Sequence, residues 1–105
     1  MNVGIDMVNI KRFDDYLRIK DKIFSVNELK IYQEYQNKKL YVASRFCLKE
    51  AFLKSMHKGV LDVDLNLIEV LKNANGSVFI SYLGKNYSCS LSHEDDYCIG
   101  VAIYE

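Results

Sequence analysis

The segment 39–59 constrains the fold more than any other part of this chain, because it is the longest stretch with a helical pattern. On a helical wheel at about 100° per residue, the apolar residues of 42–56 fall almost all the way round. A helix that is apolar on every side has to be surrounded by other elements. We therefore predict a long buried central helix, with Gly59 ending it in the C′ position.

Full charges are embedded in this apolar helix, at Arg45, Lys49, Glu50 and Lys54. An unpaired buried charge costs several kcal/mol, so each of them needs a partner. One interpretation is an internal Glu50–Lys54 ion pair, four residues apart, with Arg45 extended to solvent. The other is a bound ligand. Arg45 and Lys49 share one face, whereas Arg45 and Glu50 are separated by about 140° on the wheel.

The remaining elements predict an α+β fold in a single domain, residues 1–105. An apolar, β-branched strand at 3–10 precedes a short helix at 11–20. Ser25 and Glu28 have the spacing of a capping box, which predicts a helix over 25–35. An antiparallel meander follows, with strands at 65–71, 77–83, 86–92 and 97–105 and turns at 73–76, 84–85 and 94–96.

Composition limits the class of protein. The chain has 105 residues, half of them hydrophobic, which suits one domain with a proper core. Fourteen basic residues balance fourteen acidic ones, which argues against a nucleic-acid-binding protein. Within 38–58, however, six Lys or Arg face the single acid Glu50, which suggests either a local anionic ligand or a solvated helix face.

Cysteines and hydropathy bear on the compartment. Cys47, Cys89 and Cys98 include no CxxC pair and lie in apolar or alternating runs, so we predict reduced, buried thiols. There is no signal-peptide pattern and no apolar run near 18 residues. We expect a cytoplasmic protein that does not enter the membrane.

A second carboxylate points to a chemical role for the charged helix. Asp6 lies between Ile5 and Met7 in an apolar strand, where aspartate is unfavourable. A structural role, with the carboxylate satisfied by the backbone or a lysine, is one explanation. Asp6 and Glu50 together would instead suit Mg²⁺, which keeps waters and accepts phosphate oxygens as further ligands. Nearby Lys54, Lys49 and Arg45 would then hold the remaining phosphate charge.

The end of the predicted strand 86–92 carries a further candidate. Ser92 and His93 stand just before the turn at 94–96. A histidine at a turn is commonly a surface residue, but these two side chains could also contact a phosphate.

Three segments together resemble the holo-acyl-carrier-protein synthase family, the small trimeric branch of the 4′-phosphopantetheinyl transferases. They are GIDMVNIKRF (4–13), SRFCLKEAFLKS (44–55) and SLSHEDDYCIGVAI (90–103), and their order and spacing match over nearly the whole chain. The resemblance implies transfer of the phosphopantetheine arm of coenzyme A to a serine of apo acyl carrier protein, with release of 3′,5′-ADP. A catalytically inactive, oligomeric nucleotide-binding module of the same fold is the alternative.

The family pattern also assigns roles to particular residues. It implies Mg²⁺ at Asp6 and Glu50, pyrophosphate at Lys54, and coenzyme A phosphates at Arg45 and His93. Among residues adjacent to these, we add Lys49 and Ser92 as candidate coenzyme A contacts. Glu50 and Lys54 are the predicted catalytic residues; the base is Glu50 acting through a water, or a hydroxide on the metal.

The resemblance implies protein partners as well. Arg12 falls on a basic position that contacts the carrier protein, and Arg18 is a second candidate. A homotrimer with active sites in the clefts between subunits is expected, in which Arg45 and Glu50 could serve two different clefts or opposite ends of one ligand. The chain departs from the family in 56–65, where only Gly59 remains of a glycine-rich stretch, and at Gly76-Ser77, which replaces Gly-x-Pro. Asp14 and Asp15 also dilute the basic face of the first helix.

Overall fold

A computed structural model describes all 105 residues and has one five-stranded sheet, antiparallel throughout, packed against helices. The order of its strands across the sheet is β1-β5-β4-β3-β2. The strands are β1 (Asn2–Asn9), β2 (Glu69–Lys72), β3 (Val78–Tyr82), β4 (Lys85–Glu94) and β5 (Tyr97–Tyr104). The α+β class and the C-terminal meander are therefore as predicted, and the N-terminal strand closes the sheet beside the last one.

Three α-helices cover one face of this sheet. They are α1 (Tyr16–Ile23), α2 (Val26–Glu34) and α3 (Lys38–Ser55). The capping box at the start of α2 is present, because Ser25 Oγ accepts from the Glu28 amide and Glu28 Oε1 accepts from the Ser25 amide. Two short 3₁₀ helices, Ile10–Phe13 and Leu65–Leu67, complete the fold.

The long helix α3 is buried as the wheel predicts. One apolar cluster packs it against the sheet, through Leu48, Phe52, Ile80 and Ala102 among others. A second cluster lies on its opposite side, between α3 and the first two helices. The helix is therefore the middle layer of the molecule, and any charged side chain on it must end inside the core or at one of its margins.

The predicted end of α3 at Gly59 is wrong. The helix stops at Ser55, and His57 takes the left-handed position at φ 58°. The Lys58 amide donates to the Leu53 carbonyl, and the His57 amide donates to the Lys54 carbonyl, which is the Schellman pattern. The helix thus ends before the residues next to Gly59, because these hydrogen bonds already satisfy carbonyl groups of its last turn.

Two other predicted elements are divided differently. The helix predicted at 11–20 is broken at Asp14–Asp15, since Phe13 turns inward against the Phe46 ring at 5.5 Å between centroids. The strand predicted at 65–71 is a 3₁₀ turn over its first three residues. There the Leu65 carbonyl accepts hydrogen bonds from the Lys49 ammonium and the Ile68 amide.

The face of β1 that points away from the helices is apolar and uncovered. Val3, Ile5 and Met7 are about 60% exposed, and on β5 Tyr97 and Ile99 are exposed beside them. All three cysteines are free thiols, as predicted; Cys47 and Cys98 are buried, whereas Cys89 is only half-buried. None of the helices combines the length and apolar character that crossing a bilayer requires.

Candidate active site

The site begins with an unusually close approach of β1 to α3. A Cβ atom at Gly4 would overlap the Ala51 carbonyl oxygen and lie 2.7 Å from the Ser55 amide nitrogen, so only glycine fits there. Side chains two residues apart on a strand point to the same face. Asp6 therefore follows Gly4 on the face that meets α3, and its carboxylate reaches the last turns of that helix.

Asp6 and Lys54 are in direct contact. Lys54 Nζ donates to Asp6 Oδ1 at 3.0 Å and to the Ile5 carbonyl at 3.1 Å. The Asp6 side chain is only 15% exposed, whereas the lysine side chain is about half exposed. We call this group of side chains the Asp6 cluster. Its carboxylate is enclosed by the protein, whereas its ammonium group faces solvent.

Glu50 joins the same cluster from one turn earlier on α3. Burial raises the pKa of its carboxyl group, and repulsion by the Asp6 carboxylate raises it further, while Lys54 lowers it. The two acids are thus near enough to feel each other's charge, although they are 44 positions apart in the chain. Such mutual repulsion is relieved when a cation binds between carboxylates.

This donor set fits Mg²⁺. Magnesium in phosphate-handling sites commonly takes one or two protein carboxylates and completes its shell with waters and substrate oxygens. Asp6 and Glu50 supply two carboxylates, and no third Asp, Glu, His or Cys joins them as a possible ligand. The arrangement therefore suits an ion that is shared with a phosphate ligand better than an ion fully enclosed by protein.

The alternative interpretation of the helix charges is wrong in both of its parts. Lys54 hydrogen-bonds to Asp6 and not to Glu50, because β1 brings a carboxylate closer to the ammonium group. Arg45 does not reach solvent; only 4% of its surface is exposed. The guanidinium carbon lies 4.3 Å from the centre of the Tyr41 ring, and NH1 donates to Ser44 Oγ.

The predicted role of Lys49 as a coenzyme A contact does not agree with its position. Lys49 is fully buried and donates to Glu28 Oε1 at 2.7 Å, to the Leu65 carbonyl at 2.9 Å and to the Ile23 carbonyl. All three of its N–H groups are used inside the chain, so none is left for a ligand. Lys49 therefore belongs to the core, where it ties α3 to three other segments.

Glu28 is the acid that sequence reasoning missed. Its Oε2 accepts from the Val70 amide at 2.9 Å, while Oε1 serves both Lys49 and the Ser25 amide. Burial raises the pKa of Glu28 and lowers the pKa of Lys49, and the attraction between the two charges opposes both shifts. The capping-box pattern identified Glu28 as a cap, but nothing local indicates that it also neutralises a lysine 21 positions away.

Ser92 and His93 lie at the end of β4, where His93 pairs with Cys98 of β5. Both are exposed, and neither side chain makes a hydrogen bond within the chain. They line a surface cavity of about 340 Å³ together with Met7, Tyr97 and Ile99. The structure thus leaves both free for a ligand but does not bring them into the Asp6 cluster.

The two arginines predicted to meet a carrier protein are both exposed. Arg12 lies in the 3₁₀ helix Ile10–Phe13 and forms no ion pair. Arg18 is bound by Asp15 at 2.9 Å, and Lys39 pairs with Asp14. The acids of this region therefore neutralise part of its basic surface, as the sequence suggests, and leave Arg12 the freer of the two arginines.

Comparison with known proteins defines the class to which this fold and site belong. The model of the 4′-phosphopantetheinyl transferase superfamily matches residues 2–102, and the chain belongs to that family. Its relatives include the holo-[acyl-carrier-protein] synthases of Clostridium kluyveri and Staphylococcus saprophyticus. The first is 33% identical over 98% of this chain and 88% of its own length; the second is 28% identical over 98% and 96%.

Solved structures show the same fold at lower identity. A holo-[acyl-carrier-protein] synthase from Neisseria meningitidis superposes with a TM-score of 0.86 at 24% identity, covering 96% of this chain and 94% of that one. The Bacillus anthracis enzyme, solved in complex with CoA (3′,5′-ADP), gives 0.85 at 23%, covering 96% and 92%. The predicted resemblance, the fold class and the class of enzyme, a phosphopantetheinyl transferase, are confirmed.

Proposed function

We propose that this protein transfers the 4′-phosphopantetheine arm of coenzyme A to a serine of apo acyl carrier protein, releases 3′,5′-ADP, and requires Mg²⁺. The family and its named relatives support the transfer. The single observation that carries the metal dependence is the meeting of Asp6, Glu50 and Lys54 at the junction of β1 and α3. In this function the chain would supply holo carrier protein for fatty acid biosynthesis, in the cytoplasm.

The reaction needs positioning and charge neutralisation more than covalent help from the protein. The serine oxygen attacks the β-phosphorus of coenzyme A, the bond to the bridging oxygen breaks, and 3′,5′-ADP leaves with the electron pair. Asp6 and Glu50 would hold Mg²⁺, which when bound supplies positive charge to the pyrophosphate oxygens. Lys54 adds a second positive charge, since its exposed ammonium group can reach a phosphate without leaving Asp6.

Glu50 is also suited to move the serine proton. A carboxylate beside the reacting phosphate can accept this proton directly or through a water. It is only partly buried, which leaves room for a water between it and the serine hydroxyl. We therefore assign Glu50 the role of base through a water, in addition to its role at the metal.

Coenzyme A is long enough to need contacts beyond the pyrophosphate. Arg45 and the pair Ser92 and His93 are the candidates, the first in a cavity beside α3 and the others at a surface cavity near the end of β4. Because these positions are separated in one chain, a cleft between subunits would bring them to one ligand more readily. The uncovered apolar face of Val3, Ile5, Met7 and Ile99 supports association of subunits, since burying such a face stabilises an assembly. We propose that this assembly is the homotrimer that the family resemblance implies.

The carrier protein would dock near the site through basic residues. Arg12 has no acidic partner in the chain and stands on the 3₁₀ helix that directly follows β1, the strand of Asp6. Arg18 would first have to exchange Asp15 for an acid of the carrier. We therefore propose Arg12 as the main contact and Arg18 as a secondary one.

The test is to mix the protein with coenzyme A, Mg²⁺ and apo carrier protein and to weigh the carrier by mass spectrometry. We expect a gain of one phosphopantetheine that disappears when Mg²⁺ is chelated, and its loss in Asp6→Ala and Glu50→Ala. Asp64→Ala, at an exposed carboxylate without a hydrogen bond, is the matched control and should remain active. Circular dichroism checks that each variant is folded.

Two outcomes would contradict the proposal in different ways. Normal transfer by folded Asp6→Ala or Glu50→Ala would remove the metal-site assignment while leaving the activity intact. Binding of 3′,5′-ADP by the unmodified protein without any mass gain of the carrier would instead favour the inactive nucleotide-binding module.

A further inference from the structure

The surface around α1 carries six cations and four acids, which leaves it a net charge of +2. We call it the docking face, and it consists of residues 11–22 with Lys39 and Asp96, which contact that segment through ion pairs. Each of its four acids is bound to one of the cations; the pairs are Lys11 with Asp96, Arg18 with Asp15, Lys20 with Asp21, and Lys39 with Asp14. Only Arg12 and Lys22 remain without an ion pair, so the chain itself neutralises most of this face.

Two of these acids, Asp14 and Asp15, contribute little to the fold. Their side chains are 85% and 68% exposed, and water screens exposed ion pairs strongly. Asp15 stands at the N-cap position of α1, where an aspartate commonly accepts a hydrogen bond from the helix. Its carboxylate makes no such bond and binds the Arg18 guanidinium at 2.9 Å instead. The main effect of both acids is therefore on the charge of the surface.

An acidic partner finds the cations of this face already occupied. The side chains of Lys39 and Arg18 are 30% and 66% exposed, but each is bound to a carboxylate of the chain. A carboxylate of the partner can take either cation only by displacing Asp14 or Asp15. Each exchange replaces one exposed ion pair by another, so it gains little, and the displaced aspartate then repels the partner.

We propose that Asp14 and Asp15 are competitors, within the chain, for the acids of the carrier protein, and that Lys39 and Arg18 are docking residues which they mask. The proposal rests on the proposed function, because it takes the carrier as the partner. It adds Lys39 to the carrier contacts and gives the two aspartates a role, which is to limit the affinity for the carrier before and after transfer. A product that binds weakly leaves sooner, and this keeps the site available for the next carrier.

The dissociation constant of the apo carrier protein, measured by calorimetry without coenzyme A, tests this competition. We expect the double variant Asp14→Asn with Asp15→Asn to bind the carrier about three- to tenfold more tightly at low salt, because two cations are unmasked and two repulsive charges are gone. The gain should nearly vanish in about 1 M salt, where the screening length falls to about 3 Å. The holo carrier should gain by a similar factor, which appears in the transfer assay as stronger product inhibition.

A double-mutant cycle separates competition from a general change of charge. In an Arg18→Met background, Asp15→Asn should tighten carrier binding much less than it does in the unmodified protein, because no guanidinium is left to release. Equal gains in both backgrounds would overturn the competition, since the change of charge alone would then explain them. Asp15→Glu retains the acid and should retain the unmodified affinity.

The matched control is Glu105→Gln, which also removes one negative charge. Glu105 follows β5, whereas Asp96 precedes that strand, so the control lies at the far end of β5 from the docking face. Glu105 is exposed and forms no ion pair or side-chain hydrogen bond, and its replacement should leave the affinity unchanged.

Two results distinguish this inference from the proposed function. If the folded double variant binds the carrier no more tightly than the unmodified protein while transfer proceeds normally, the competition is overturned and the proposed function stands. If the double variant binds more tightly but neither protein modifies the carrier, the proposed function is refuted and the competition stands.

Discussion

Lys49 and Lys54 lie five residues apart on one helix, but they differ in burial and in their partners. Lys49 is fully buried, and each of its N–H groups meets an acceptor of the chain. Lys54 is about half exposed and shares its ammonium group between Asp6 and a carbonyl oxygen, with a side left open to solvent. The first lysine holds the core together, and the second faces the candidate active site.

The difference indicates that a charge in an apolar helix can contact a ligand only when its partners in the chain leave part of it exposed. Both lysines looked alike in the sequence, since each interrupts an apolar run close to Glu50. Around Lys49, α2 and the 3₁₀ turn Leu65–Leu67 close off the approach from solvent. Around Lys54, β1 supplies a carboxylate but does not cover the ammonium group.

Replacing Lys49 should have the largest effect on stability. Lys49→Met leaves the Glu28 carboxylate buried without its cation, and breaking a buried pair in this way costs about 3–5 kcal/mol. We expect the free energy of unfolding, measured by urea denaturation at fixed protein concentration, to fall by about that amount. Lys54→Met, the same substitution at the exposed lysine, should cost less than about 1 kcal/mol.

The double variant Glu28→Gln with Lys49→Met sharpens this prediction. Removing both charges should recover part of the lost stability, because no uncompensated charge remains in the core. Equal stability losses for Lys49→Met and Lys54→Met would show that the two lysines do not differ in the way the structure indicates.

Replacing Lys54 should have a smaller effect in free energy, and on a different quantity. Loss of a positioned positive charge at the reacting phosphate lowers the rate by about 100-fold, or roughly 2.7 kcal/mol. We expect Lys54→Met to reduce kcat/KM for transfer by about this factor, while the melting curve hardly changes. Lys54→Arg should retain part of the activity. A variant without Lys54 that transfers at the normal rate would contradict the assigned role.

The pH dependence of Mg²⁺ binding should show the smallest of these effects. Because the pKa of Glu50 is raised, this carboxyl group holds its proton at a higher pH than an ordinary glutamate does. Mg²⁺ needs the ionised form, so its affinity should fall on acidification earlier than for an unperturbed carboxylate. Lys54→Met removes the charge that lowers this pKa, and should move the midpoint upward.

A titration of Mg²⁺ affinity between neutral and acidic pH, in the presence of 3′,5′-ADP, measures this midpoint in both proteins. A downward shift in Lys54→Met, or no difference, would mean that the Lys54 charge does not act on Glu50.

Features set by neighbouring residues were predictable from the sequence. Ser25 and Glu28 have the three-residue spacing of a capping box, which predicts the start of α2. The alternation of apolar and polar residues along β4 and β5 predicts two strands, which are paired in the structure. Asp6 and Glu50 could also be singled out as candidates, because a carboxylate in an apolar element requires an explanation. The end of α3 was not predictable, since His57, and not the nearby Gly59, takes the left-handed backbone position that ends the helix.

The sequence by itself determined the order of the helices and strands, the family, and the set of charges placed on α3. Only the tertiary structure decided which of those charges is enclosed, which is open, and which is left without a counter-ion. The physical reason is the distance along the chain: Glu28 and Asp6 come from segments remote from α3, and they meet its lysines only once the helix is packed between the sheet and the other helices. The spacing of residues along a helix shows which side chains share a face, but it does not show which other segment of the chain packs against that face.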